Sequence, residues 1–93
     1  MVPGGQSGWH YHPGPSLVTV VQGTATFYDA DDPTCTPRVF PAGTGVTDDA
    51  IEASHAHLLR NEGTSNLVTV TTQIVPAGAT RRIDAPDPGN CNF

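Results

Sequence analysis

The clearest hydrophobic pattern in the chain is Leu67-Val68-Thr69-Val70-Thr71-Thr72-Gln73-Ile74-Val75. It alternates with a period of two, so Leu67, Thr69 and Thr71 share one face of a strand and Val68, Val70 and Thr72 the other. Leu17-Val18-Thr19-Val20-Val21-Gln22 is rich in β-branched residues and predicts a second strand. Gly23 is read as a turn, and Thr24–Tyr28 as the hairpin partner. Asp29–Pro37 reads as a loop. Arg38-Val39-Phe40 is a short strand closed by the Pro41-Ala42-Gly43-Thr44-Gly45 turn. Ten glycines and nine prolines are spread from end to end. Breakers this frequent leave room for short strands rather than long helices. From Pro76 onward the chain carries three prolines and two glycines and is expected to wrap the surface.

One segment resists the pattern. Asp48 through Glu62 (DDAIEASHAHLLRNE) is rich in helix-forming Ala, Leu and Glu, with Asp48 or Asp49 as an N-cap and Gly63 as a C-cap. Local propensity favours a helix here.

Length and charge narrow the class. Ninety-three residues allow one domain, 1–93, with a modest core that a metal, a disulfide or a partner subunit would help. The formal charge is −5, with four arginines and no lysine. That argues against a nucleic-acid backbone or an anionic membrane surface as partner. The longest apolar run is far short of a membrane span. The first residues lack the charged and apolar regions of a signal peptide. No Ser-His-Asp set, P-loop or dinucleotide fingerprint is present.

The candidate chemistry lies in the histidines. All four fall in two His-x-His pairs, His10-Tyr11-His12 and His55-Ala56-His57. In a strand, residues i and i+2 point to one face about 6.6 Å apart. Each pair can then aim two imidazoles at one point. Imidazole is the common ligand of zinc, copper, iron and nickel. In a helix, His55 and His57 would stand about 200° apart and share nothing. The metal reading therefore predicts a strand over 55–61, with His55 and His57 facing one cavity, against local propensity. Trp9 and Tyr11 would then face away from the metal. Phe27, Tyr28 and Phe40 are expected in the core. Gln73 can reach a cavity, Arg60 can bind an anionic substrate, and Arg81 and Arg82 read as surface charges.

Gly8-Trp9-His10-Tyr11-His12-Pro13-Gly14-Pro15-Ser16, ending at Gly23, resembles the first signature of the cupin superfamily. That signature runs Gly, His-x-His, three or four residues, Glu, six residues, Gly. Ser16 stands at the Glu position. Pro41-Ala42-Gly43 and His57-Leu58-Leu59-Arg60-Asn61 resemble the opening and close of the second signature, with thirteen residues between Gly43 and His57. An inserted loop at Gly45–Ser54 accounts for that spacing. The resemblance covers about residues 5–78, leaving a tail at 79–93.

The resemblance implies an all-β, cupin-type small β-barrel, jelly-roll-like, with metal ligands on inward strand faces. Carried over, the ligands are His10, His12 and His57. Ser16 is a poor metal ligand and is expected to hydrogen-bond a bound water or substrate. His55 either joins the metal in place of the missing Glu or acts off it as a general base. Three or four histidines without a carboxylate suit a divalent first-row ion: Fe, Ni, Cu, Zn or, less well, Mn. Cupins commonly have one or two strands before the first signature. The open edge expected here implies completion by a partner subunit, hence a homodimer. The implied function is a metal-dependent enzyme acting on a small organic molecule. The metal would serve as Lewis acid or O₂-binding centre in an oxygenase, isomerase or lyase reaction. The alternative is a non-catalytic module that binds a metal or a small ligand.

Cys35 and Cys91 are the only cysteines, and neither has metal-site or redox spacing. Both lie in polar, Pro-rich segments, which favours a disulfide pinning the tail. That would place the protein outside the cell or in another oxidising compartment. Two free thiols in a cytoplasmic protein are the alternative.

Overall fold

A computed structural model describes residues 1–48 and 50–93. Among the described residues, eight strands run in the order β1 His10–Tyr11, β2 Ser16–Gln22, β3 Thr24–Asp29, β4 Arg38–Pro41, β5 Gly45–Asp48, β6 His57–Arg60, β7 Val68–Gln73 and β8 Ile83–Asp84. One 3₁₀ turn, Ala53–His55, precedes β6. No α-helix occurs among the described residues. The strands form two antiparallel sheets, β4-β3-β6-β1-β8 and β5-β2-β7.

The alternation along β2 places Val18 and Val20 inward and Leu17, Thr19 and Val21 outward. Val18 and Val20 pack with Ala25, Phe27 and Leu67 between the sheets, with Phe40, Val46 and Leu59 against them. Each large apolar side chain buried this way stabilises the fold by about 1.5–3 kcal/mol. A second cluster, Trp9, Tyr28 and Leu58, lies on the opposite face of the five-stranded sheet, where Ala85 and the cysteines cover it. Strand β3 is buried on both sides for this reason. Its pattern over Ala25–Tyr28 is a continuous buried run rather than an alternation.

Residues from Pro76 onward do more than wrap the surface. Strand β8 adds to the sheet beside β1, Asn90 donates to the Asp29 and Asp32 carbonyls, and Cys35–Cys91 is a disulfide. Gly23 turns β2 into β3 at φ 79°, a left-handed conformation that suits glycine. A Cβ there would stand 2.6 Å from the Asn66 carbonyl oxygen, so backbone proximity also demands glycine.

Three local expectations change. The residues read as the start of an inserted loop, 45–48, are instead strand β5, paired with β2. The helix favoured by propensity over 48–62 does not form, because 57–60 are taken into the sheet between β1 and β3. The strand predicted over 55–61 begins only at His57, and His55 closes the 3₁₀ turn. Asp48 caps no helix. Asp49, the other cap considered, lies outside the described residues.

Candidate metal centre

The β1–β6 register sets His10 directly opposite His57. Both rings point into the space between the sheets, and their Nε2 atoms stand 3.0 Å apart. His12 lies two residues beyond His10, on the same face, its backbone N–H donating to the Ala50 carbonyl. All three side chains are buried, and one ligand nitrogen from each lies within 4.8 Å of the other two. The rings meet edge to face, at interplanar angles of 71–81°.

Backbone carbonyls set the tautomers. His10 Nδ1 lies 2.8 Å from the Gly8 carbonyl and His12 Nδ1 2.7 Å from that of Arg81. A carbonyl oxygen only accepts, so each Nδ1 carries the hydrogen and each Nε2 is left as donor of a lone pair. Two nitrogens held about 2.0–2.1 Å from one zinc-sized ion stand about 2.9–3.4 Å apart at angles between octahedral and tetrahedral. The observed His10–His57 separation falls inside that window. The donor set therefore fits a first-row divalent ion.

Asp48, at the end of β5, is the residue that the sequence reading missed. Its Oδ2 lies 3.3 Å from His12 Nε2 and 3.2 Å from His57 Nε2, while Oδ1 accepts the Ala50 N–H at 2.9 Å. Burial pushes the His57 imidazolium down to about 4 and lowers His10 as well. Hydrogen bonding to Asp48 raises His12 despite its burial. Burial works to raise the Asp48 carboxyl, but the His12 and His57 imidazoles and the Ala50 N–H outweigh it and hold it below its ordinary value. At neutral pH the site thus presents neutral His10 and His57 beside an ionised carboxylate. A cation is what such a group of atoms attracts.

The four residues line one wall of a cavity of about 320 Å³. Val18, Phe27 and Leu59 form an apolar part of its lining, and Thr69, Thr71 and Gln73 a polar part. The polar residues are the inward set of β7, whose valines face outward. Arg81 and Arg82 also line the cavity. Arg82 is engaged by Asp84 and the Ser7 carbonyl. Arg81 donates through Nε to Gln73 Oε1 at 3.0 Å, and its other N–H groups have no side-chain partner among the described residues.

The remaining sequence candidates divide clearly. His55 is not part of the centre: its side chain is 54% exposed and its Nδ1 meets Asp31 Oδ2 at 3.0 Å. The 3₁₀ turn breaks the i, i+2 geometry that would have aligned it with His57. Both roles considered for it, ligand and general base, are thereby withdrawn. Ser16 is buried on β2 directly opposite Asp48, its Oγ without a hydrogen-bond partner among the described residues, and it does not line the cavity. Arg60 turns away, pairing with Glu62 and stacking on Phe93 at 3.9 Å. Arg81 and Arg82, read as surface charges, reach the cavity instead. Gln73, which could have been simply an exposed strand residue, lines it, and Trp9 packs on the far face.

No family model matches the chain, and no curated protein sequence resembles it at a significant level. Solved structures do resemble it. An uncharacterised conserved protein with a double-stranded β-helix domain from Klebsiella pneumoniae subsp. pneumoniae superimposes with a TM-score of 0.69 at 21% identity, covering 91% of this chain and 64% of its own. The chain has the cupin fold. A predicted oxalate decarboxylase from Thermotoga maritima gives a TM-score of 0.63 at 22% identity over 82% of this chain and 61% of its own. A DMSP lyase from Ruegeria pomeroyi gives 0.68 at 19% identity over 96% and 41%. The chain spans less than two thirds of each of these proteins. In this fold the segment that resembles the first signature lands on β1 and β2, and the thirteen residues between Gly43 and His57 include β5 and the 3₁₀ turn.

Proposed function

We propose that this cupin is a metal-dependent enzyme acting on a small organic acid, with His10, His12 and His57 as metal ligands. The observation that carries the reading is the convergence of three buried imidazoles on one wall of a cavity that arginines also line. A bound first-row divalent ion would supply Lewis-acid chemistry there. The chain's own residues do the rest. Arg81 offers guanidinium N–H groups that have no side-chain partner among the described residues, suited to a carboxylate. Thr69 and Thr71 can orient the substrate by hydrogen bonds. Phe27, Val18 and Leu59 exclude water from one side, which strengthens every electrostatic contact inside. The names of two structural neighbours, a predicted oxalate decarboxylase and a lyase, accord with bond cleavage in a small molecule.

The subunit arrangement is part of the same proposal. The outward face of β2 and β7 exposes Leu17, Val21, Val68 and Val70, apolar surface that a second copy would cover.

The experiment is metal analysis of untagged protein, followed by a screen of small carboxylates against their neutral amides. Stoichiometric metal, turnover of a carboxylate and a raised KM in Arg81→Gln with metal content unchanged are the expected results. Absence of any first-row metal, with no thermal shift on adding Fe, Ni, Cu, Mn or Zn, would refute the reading. Stoichiometric metal with neither carboxylate binding nor turnover favours the non-catalytic metal-binding module.

A further inference from the structure

We infer that Asp48 is a fourth protein ligand of this centre, which makes the site three histidines and one aspartate rather than histidines alone. The inference rests on the reading that His10, His12 and His57 hold a metal, and goes beyond it.

The decisive feature is which nitrogen the carboxylate faces. A carboxylate that merely supports a metal-bound histidine contacts the ring nitrogen turned away from the ion. Here the away-facing nitrogens of His10 and His12 are already taken by the Gly8 and Arg81 carbonyls. Asp48 Oδ2 instead meets Nε2 of His12 and Nε2 of His57, at 3.3 and 3.2 Å. His57 Nε2 is also the atom that stands 3.0 Å from His10 Nε2. Oδ2 therefore sits on the side of these rings where the nitrogens converge. Its separations from the His12 and His57 nitrogens match the about 2.9–3.4 Å expected between donors sharing one ion.

The carboxylate is also held for this purpose. Asp48 is buried, and Oδ1 is fixed by the Ala50 N–H, so a single oxygen is presented to the imidazoles. Strand pairing explains its arrival. Asp48 on β5 is the cross-strand partner of Ser16 on β2. Directly opposed residues share a face, with Cβ atoms about 5 Å apart. Asp48 is the only acidic residue that lines the cavity among those described. An aspartate ligand lowers the net charge of a divalent site by one and leaves a harder donor set, better suited to Mn(II) or Fe(II) than neutral histidines alone.

Co(II) alone is the probe. In crystals of the wild type soaked with it, anomalous density is expected at the three histidines with Asp48 Oδ2 within about 2.3 Å of the ion. An ion bound to the histidines with Oδ2 beyond about 3 Å overturns the inference. In solution, Asp48→Asn should lower Co(II) affinity beyond the about 10–100-fold that loss of an outer-shell partner costs. It should also change the d–d spectrum at saturating Co(II). An unchanged spectrum at saturation overturns the inference. Should the variant not fold, judged by circular dichroism without metal, the wild-type crystal decides alone. Failure of the underlying reading looks different: the wild type then binds no Co(II) at the histidines, and His12→Ala titrates as the wild type does.

Discussion

Reducing Cys35–Cys91, or replacing both residues in Cys35→Ser/Cys91→Ser, removes a link that closes a 56-residue separation. In the chain-entropy account, restoring that freedom to the unfolded chain costs about 4 kcal/mol of stability. For a domain of this size, total stability is about 5–14 kcal/mol, so the bridge is a large share of it. The local structure agrees. Both cysteines pack against the Trp9, Tyr28 and Leu58 cluster, and Asn90 ties the same segment to the Asp29 and Asp32 carbonyls. The site should feel the loss as well, since Arg81 both holds His12 through its carbonyl and lines the cavity on this tethered stretch. The assay is urea denaturation followed by tryptophan fluorescence, with and without reductant. With an m-value of about 1–2 kcal/mol/M, the midpoint should fall by about 2–4 M. Thiol titration must confirm complete reduction. An unchanged midpoint in the reduced protein refutes the energetic argument. Two reactive thiols in the denatured, unreduced protein refute the bridge itself.

His12→Ala should abolish stoichiometric metal and the rise in melting temperature that metal gives the wild type, because an ion bound only to the native state stabilises it by mass action; an undiminished thermal shift in the variant would remove His12 from the ligand set. Stripped of metal, the protein should lose stability as pH falls from about 6.5 toward 4. There the unfolded chain takes up a proton that folded His57, held near 4 by burial, refuses, whereas His12, whose value is raised, is protonated in both states below about 6.5 and leaves the slope in this window unchanged. A flat profile by chemical denaturation across that window contradicts the burial of His57. Gly23→Ala should destabilise by about 2–4 kcal/mol, combining left-handed strain with collision against the Asn66 carbonyl; a urea midpoint equal to wild type would count against the turn geometry. Light scattering at micromolar concentration should give twice the chain mass, and Val70→Asp should halve it; a monomeric wild type refutes the covered β2–β7 face.

The sequence by itself determined the fold class. Period-two alternation and scattered Gly and Pro specify short strands, and the spacing from His10 to Gly23 resembles the first cupin signature. It also singled out His10 and His12, because i and i+2 on a strand share a face whatever the partner strand is; His57 came from the resemblance, and His55, named by the same i, i+2 argument, does not converge. The tertiary structure decided what pairing decides. Residues 48–62 have helical propensity, yet pairing of β6 between β1 and β3 overrides it from His57 onward and leaves His55 outside. Asp48 was read as a helix cap because its role depends on the β2–β5 register, a contact across 32 positions that no local pattern encodes. Arg81 and Arg82 read as surface charges for the same reason: only the pairing of β8 with β1 carries them back over the cavity. Periodicity belongs to one strand and can be read from it. A site assembled from several strands belongs to their register, which is set by the packing of the whole domain.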